Sequence, residues 1–335
     1  MGGMDIMNKF ARIDRLIEQL FAGDHLAAAR LITMVENGTE ARLDIMRHVY
    51  PRSGHAFIIG VTGPGGAGKS SLINQMIFQY RKRRRKVGVV AVDPSSPMSG
   101  GSFLGDRVRL SDHYRDPGVY IRSMAARGHV GGLARATCEV VRIVDALGMD
   151  VIILETLGVG QDEVEVRQIA DTCLLILTPG MGDEIQAFKA GVSEIADIIV
   201  LNKGDQQGAH TAWMHLNSVV QATCVEQSEW MLRLLKTIAV SSPTDEITGL
   251  EELMSAIEQH LAFLREKRKS NGSTYNLRRL SYELEVIIKS ELEELVLPTL
   301  VETILHEDYL SKALKQEIEP YSVADEILDK IRRVM

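Results

Sequence analysis

The sequence predicts an α/β protein in which helices flank a mainly parallel central sheet, with a helical unit before it and a helical arm after it. From residue 56 onward, short apolar runs rich in β-branched residues alternate with longer segments of helical periodicity, which is typical of βαβ units around a parallel sheet. Before this region and after it, helical periodicity continues without strand-like runs. The 335 residues suffice for one large core with extensions.

Three parts are therefore expected. Residues 1–50 form an N-terminal helical unit, residues 51–250 the α/β domain, and residues 251–335 a C-terminal helical arm. Apolar residues recur at helical spacing in the first part, at Ile13, Leu16, Ile17 and Leu20. The apolar residues of the arm suit packing on the core or on a second subunit. They include Leu280, Leu284, Ile287 and Ile288.

Six strands are predicted in the α/β domain from apolar runs of strand length. They span residues 56–62, 87–92, 151–155, 172–177, 198–202 and 237–241, and a further short strand is expected at 119–122.

Composition and charge exclude several classes of protein. With 45% hydrophobic and 25% charged residues the chain is an ordinary globular one, and a net charge of -7 gives no electrostatic reason to expect a nucleic-acid partner. The three cysteines form no CxxC pair, which disfavours a zinc site or a disulfide framework. Neither a membrane-length apolar run nor the apolar core of a signal peptide is present. We therefore expect a soluble, cytoplasmic protein with no membrane partner.

A phosphate-binding loop follows the first predicted strand. The segment Gly63-Pro-Gly-Gly-Ala-Gly-Lys-Ser70 matches GxxxxGK[ST] and precedes a helix, which is the context that defines a P-loop NTPase. Its glycines let backbone amides converge on phosphate oxygens, and the helix N-terminus adds its positive end. The residues expected at the nucleotide are Gly63, Gly65, Gly66, Ala67, Gly68, Lys69, Ser70 and Ser71.

Carboxylates near strand ends provide the candidate magnesium ligands. Magnesium takes hard oxygen ligands, so Asp93, Asp106 and Glu155 are expected beside the Ser70 hydroxyl. Together with Lys69 these three carboxylates form the predicted catalytic set. Glu155 also begins Glu-Thr-Leu-Gly158, a variant of the DxxG element in which the Gly158 amide can meet the γ-phosphate. The alternative is that such acidic residues only form turns or cap helices.

A guanine-reading motif follows a later strand. In Asn202-Lys203-Gly-Asp205 the aspartate can accept hydrogen bonds from both the ring N–H and the exocyclic amine of guanine, which adenine does not offer. A polar mismatch of this kind discriminates strongly between substrates. Ser241 and Ser242 are expected to add a backbone contact to the base.

Two further segments have open interpretations. The stretch 179–189 combines glycines with charged residues, which suits either a nucleotide-responsive loop or an ordinary turn before a helix. The basic run 81–86 ends the helix after the P-loop, where cations complement the helix dipole and stay solvated.

Several strings together identify a family. VDPSSPMSGGSFLGDRVRL, RGHVGGLARAT, ETLGVGQDEVEV, PGMGDEIQAFKAG and LNKGD resemble the MeaB/ArgK (MMAA-type) family of P-loop GTPases. The resemblance covers most of the chain and is most specific between residues 56 and 205. It implies a homodimeric GTPase that gates cofactor loading into an adenosylcobalamin-dependent acyl-CoA mutase and protects that mutase as its chaperone.

The resemblance also assigns roles to residues. It implies Lys69 and Ser70 at the phosphates and the metal, with Asp93, Asp106 and Glu155 around magnesium and with Asn202 and Asp205 at guanine. It further implies that 179–189 is a switch facing the partner and that the C-terminal helices form the dimer.

Departures from the family pattern leave the mutase open. The family usually has GVPGVGKS and ETVGVGQSE, where this chain has GPGGAGKSS and ETLGVGQDE. The GGAGKSS form is similar to the GTPase segment of fused isobutyryl-CoA mutases. Two other classes remain as alternatives: a P-loop kinase or ATPase linked to amino-acid transport, and a metal-delivery GTPase.

Overall fold

The computed structural model describes residues 2–94, 110–126, 132–156, 162–180, 195–223, 230–238, 248–270, 274–306, 311–312, 315, 317–319, 321–325 and 329. The chain divides into two compact units, Met1–Arg279 and Leu280–Met335. The first contains the sheet and the candidate site.

A seven-stranded parallel sheet forms the centre of the first unit. Its strands lie in the order β3-β2-β4-β1-β5-β6-β7, and every adjacent pair is parallel. The predicted α/β class with a parallel sheet is thereby confirmed. The strands span Phe57–Thr62 (β1), Val87–Pro94 (β2), Val119–Ala126 (β3), Val151–Thr156 (β4), Thr172–Leu177 (β5), Ile198–Leu201 (β6) and Arg233–Lys236 (β7).

The central strands are buried on both faces. All residues of β1, β4, β5 and β6 are buried, as expected where helices cover both faces of a parallel sheet. The helices bear the labels α1 to α9 in chain order. They span Gly2–Phe21, His25–Glu36, Arg42–Val49, Lys69–Lys82 (α4), Gly132–Ala146, Asp162–Ile169, Ala209–Thr223, Leu250–Ser270 (α8) and Thr274–His306 (α9), with short 3-10 helices at Tyr50–Arg52 and Ser111–His113.

The prediction of the last strand was wrong in position. It was placed at 237–241, whereas β7 spans Arg233–Lys236. Of the predicted residues, Ile238 forms an isolated bridge to Thr248, and 239–241 lie outside the described part of the chain. As an edge strand β7 is exposed at both ends, where it has charged residues. It therefore lacks the continuous apolar run used to predict strands, whereas the apolar residues after it have such a run. The short strand expected at 119–122 is confirmed and continues to Ala126.

Buried side chains from the sheet and from α4 and α8 form a large apolar cluster. Met76 and Ile77 of α4 and Leu253 and Ile257 of α8 belong to it. In the N-terminal helices the apolar residues identified by periodicity are buried, and the side chain of Asp24 caps α2 by accepting from Leu26 N and Ala27 N. No helix within the described ranges is long and apolar enough to span a bilayer.

The second unit contains most of α9 and presents an apolar stripe. Beyond Arg279, four large apolar side chains described for this helix are exposed and recur at helical spacing, namely Leu284, Ile288, Leu292 and Leu295.

Candidate functional site

The predicted site residues that the structure describes lie near the carboxyl ends of the parallel strands. Glu155 near the end of β4 lies opposite Val61 of β1 on one side and Ala91 of β2 on the other. The P-loop continues β1, and the Asn202 motif continues β6. Ligands of open α/β sheets bind beyond this edge.

Glycines allow the P-loop to approach its neighbours closely. Gly63 has a φ of 139° and Gly68 a φ of 89°. A Cβ at Gly63 would lie 2.1 Å from the carbonyl oxygen of Ile176, and one at Gly68 would lie 2.4 Å from Asn202 Nδ2. The loop therefore packs against β5 at its start and against the Asn202 motif at its end.

Lys69 is buried inside the loop at the first position of α4. Its Nζ donates hydrogen bonds to the carbonyl oxygens of Gly63, 2.6 Å away, and Pro64, 3.1 Å away. The side chain is thus a localised positive charge beside a helix N-terminus, and this combination attracts phosphate.

Ser70 and Glu155 meet directly. Ser70 Oγ donates to Glu155 Oε1 at 3.0 Å, and both residues are buried, with exposures of 6% and 7%. A hydroxyl and a carboxylate oxygen side by side make a donor set that suits magnesium. The sequence placed both residues at this edge, and the structure brings them together.

For the other predicted carboxylates and backbone contacts, the structure gives the backbone position of Asp93 alone. Asp93 lies near the end of β2 opposite Ala125, two positions beyond Ala91, which pairs with Glu155. Its backbone therefore lies at the same edge of the sheet. The remaining predicted residues, namely Asp106, Gly158, Ser241 and Ser242, fall outside the described residues, as does 181–189. They remain predictions.

The Asn202 motif is joined to the P-loop by two side chains. The fully buried Asn202 donates from Nδ2 to the carbonyl oxygen of Ala67 at 2.8 Å. Lys203, whose φ is 54°, donates from Nζ to the carbonyl oxygen of Gly66 at 2.8 Å. Asp205 is exposed. Asn202 and Lys203 thus anchor the start of this motif to the P-loop.

Thr237 completes the arrangement and was not anticipated from the sequence. Its Oγ1 donates to Asn202 Oδ1 at 3.0 Å, and its carbonyl oxygen accepts from Gly204 N at 3.0 Å. The residue is fully buried. The sequence offered one indication, a hydroxyl residue at the start of an apolar run. It was overlooked because that run was predicted to be the last strand.

Comparison with known proteins now decides the family. Residues 28–298 match the family described as methylmalonyl Co-A mutase-associated GTPase MeaB. The chain belongs to the MeaB family. A putative GTPase of Pyrococcus abyssi is 42% identical over 321 residues, which are 95% of this chain and 97% of that protein. GTPase ArgK of Escherichia coli is 34% identical over 254 residues, 74% of this chain and 75% of its own length.

As a MeaB-family protein the chain is a GTPase, as the motifs predicted. A solved structure, that of a LAO/AO transport system kinase, has a TM-score of 0.68 and 24% identity, covering 96% of this chain and 98% of its own. That likeness supports the fold. The MeaB family assignment thus agrees with the sheet, the P-loop and the Asn202 motif.

Proposed function

We propose that this GTPase hydrolyses magnesium-bound GTP and acts as the chaperone of an adenosylcobalamin-dependent acyl-CoA mutase, gating cofactor loading and protecting the enzyme. The family description names association with methylmalonyl-CoA mutase. The observation that carries the nucleotide part is the 2.8 Å hydrogen bond from Asn202 to Ala67, because it unites the base-reading and phosphate-binding motifs in one site.

Nucleotide binding is assigned to residues at this edge. The P-loop amides, Lys69 and Ser70 hold the phosphates. Asp205 accepts hydrogen bonds from guanine, while Lys203 and the buried Asn202 keep that carboxylate in position. The backbone amides of Gly158 and of Ser241 and Ser242 are proposed to complete the contacts.

Magnesium fits the residues present. Ser70 Oγ and Glu155 Oε1 lie 3.0 Å apart and supply hard oxygens, and Asp93 and Asp106 are the proposed additional carboxylates. Held by these residues, the ion would neutralise charge that develops on the phosphate oxygens. Lys69 stabilises the same charge from the P-loop side.

Hydrolysis by the chain alone is proposed to be slow. Many GTPases orient the attacking water with a glutamine after the DxxG glycine, whereas Val159 follows Gly158 here. The valine side chain offers neither a donor nor an acceptor to water, and the next glutamine, Gln161, lies two positions farther on. A partner that orders charged groups of 179–189 around the γ-phosphate would then accelerate turnover.

Coupling to the mutase must be reciprocal. If the mutase tightens GTP binding, then the GTP form must bind the mutase more tightly by the same factor. The mutase can favour one nucleotide state only by making different contacts with each. The segment 179–189 is the proposed site of those contacts.

A cytoplasmic homodimer formed through the C-terminal arm is part of the proposal. The exposed stripe on α9, from Leu284 to Leu295, supports a second copy as its cover. Light scattering of the intact chain and of a Leu284→Glu, Ile288→Glu variant tests this. A dimer that dissociates in the variant is expected, and an unchanged mass would contradict the assignment.

The chaperone role is tested with the purified protein and the cobalamin-dependent acyl-CoA mutases of its host. Complex formation and phosphate release are measured with GTP, GDP and a non-hydrolysable GTP analogue. We expect affinity to depend on the nucleotide and the mutase to accelerate phosphate release. Equal affinity in all states with unchanged turnover would overturn the role, and labelled γ-phosphate on an acceptor other than water would favour a kinase.

A further inference from the structure

A cavity lies at the opposite end of the sheet from the proposed nucleotide site. It has a volume of about 400 Å³ and is lined by Phe57 at the start of β1 and Val151 at the start of β4. The C-terminal part of α4 and the middle of α8 form its walls. This volume is within the range of small-molecule sites.

The floor of the cavity is apolar. Phe57, Val151 and Ile257 are buried core residues that line it, and Leu261 of α8 is partly buried beside them. An apolar floor of this kind favours a ligand with a hydrocarbon or aromatic body, because such a body loses its contact with water on binding.

Tyr80 contributes a hydroxyl to the lining of the cavity. Tyr80 is 5% exposed and lines the cavity, yet its hydroxyl forms no hydrogen bond with another described residue. Burial raises the pKa of Tyr80, with a smaller contribution from Glu258, so the hydroxyl stays protonated and can donate. A phenol hydroxyl that lines a cavity can donate a hydrogen bond to a ligand or to water there.

The rim of the cavity has an excess of positive charge. Arg85 pairs with Asp150 at 3.3 Å, and Arg83 pairs with Glu258. Arg265 also lines the cavity and, among the described residues, forms neither a hydrogen bond nor an ion pair. Two of the three arginines are thus neutralised, and one cation remains at the mouth.

From these features we infer that the cavity binds a small amphipathic monoanion, with its carboxylate or sulfonate at Arg265 and Tyr80 and its apolar body on the Phe57 and Leu261 side. The basic run at the end of α4, which has no role at the nucleotide site, supplies part of this rim. A single net positive charge matches one anionic group better than a polyphosphate.

The first experiment titrates the intact, nucleotide-free chain with 8-anilinonaphthalene-1-sulfonate and follows its fluorescence. One saturable site per chain is expected, with octanoate competing far better than octanol because only octanoate bears a charge. Arg265→Gln should weaken binding about tenfold, as expected for one charge-assisted hydrogen bond. Arg30→Gln, at an exposed arginine of α2, is the matched control and should bind normally.

A second variant tests the location independently of charge. Leu261→Trp adds bulk inside the cavity and should abolish saturable binding, and thermal unfolding checks that it remains folded. Because Arg265 is exposed, Arg265→Gln keeps the test valid even if Leu261→Trp unfolds. Binding that is unchanged in Arg265→Gln, or equal competition by octanoate and octanol, would overturn the inference. The readout needs neither GTP nor a mutase, so it stands apart from the proposed chaperone role.

Discussion

The side chain of Asn202 holds the P-loop by donating to the carbonyl oxygen of Ala67 at 2.8 Å while accepting from Thr237 at 3.0 Å. One buried amide thus connects the phosphate loop to the segment after β7. Asn202 therefore supports both halves of the proposed nucleotide site.

Replacing Asn202 with Ala should weaken phosphate binding as well as base binding. The change leaves the Ala67 carbonyl and the Thr237 hydroxyl unsatisfied, which costs roughly 1–3 kcal/mol for each buried group. Titration with fluorescent GDP and urea unfolding measure the two effects. Thr237→Val removes only the hydrogen bond from Thr237 to Asn202, so it should reduce GDP affinity and stability less than Asn202→Ala does. Wild-type affinity for GDP in Asn202→Ala would contradict the assigned support role.

Replacing Asp205 with Asn should shift base preference from guanine to xanthine. The new amide donates where the carboxylate accepted, which suits the additional carbonyl of xanthine. Because Asp205 is exposed, stability should hardly change. Competition among GTP, ATP and XTP for a fluorescent analogue gives the ratio, with Asp112→Asn at another exposed aspartate as control. Equal affinity of the unmodified chain for ATP and GTP would refute the role of Asp205.

Lys69→Ala should remove most nucleotide affinity while the chain stays folded. Losing charge-assisted hydrogen bonds to phosphate costs roughly 1.5–3 kcal/mol each, or about tenfold to a hundredfold in affinity. Calorimetric titration with GTP measures the loss. Lys82→Ala, at an exposed residue in the last turn of the same helix, should bind normally. Unchanged affinity in Lys69→Ala would place the phosphate site elsewhere.

His260 should make the protein less stable in mild acid. Burial lowers the pKa of His260, outweighing the opposite influence of Asp197, whose Oδ1 lies 3.7 Å from Nε2, and Arg167 lowers it further. Below about pH 6.5 the unfolded chain binds a proton at this histidine that the folded chain does not. Stability is therefore retained above that pH and falls as the pH approaches the folded-state pKa.

Urea unfolding between pH 7.5 and pH 5.5 measures this dependence. His260→Gln can still bond to Thr172, which lies 2.7 Å from Nδ1, but it cannot titrate. Its stability should therefore decline less over the same interval. Parallel declines in the two proteins would show that other groups are responsible.

The sequence was sufficient for elements with local patterns. The buried strands β1, β4 and β5 have continuous apolar runs, so their positions were predicted to within a residue or so. β7 was misplaced because an edge strand has no such run. The contact between Asn202 and Ala67 depends on the register of β1, β5 and β6, which long-range pairing sets. The motifs predicted that these residues lie at one edge of the sheet, but they did not predict the hydrogen bond between Asn202 and Ala67.

Helix α4 runs from the P-loop to the cavity at the opposite end of the sheet. Its 14 residues begin at Lys69 and end at Lys82, so its axis is about 20 Å long. A tilt of about 5° at the P-loop would displace its far end by roughly 2 Å. Hydrogen exchange at Tyr80 and at Ile257 of α8 should report whether bound GTP and bound GDP set this helix at different angles.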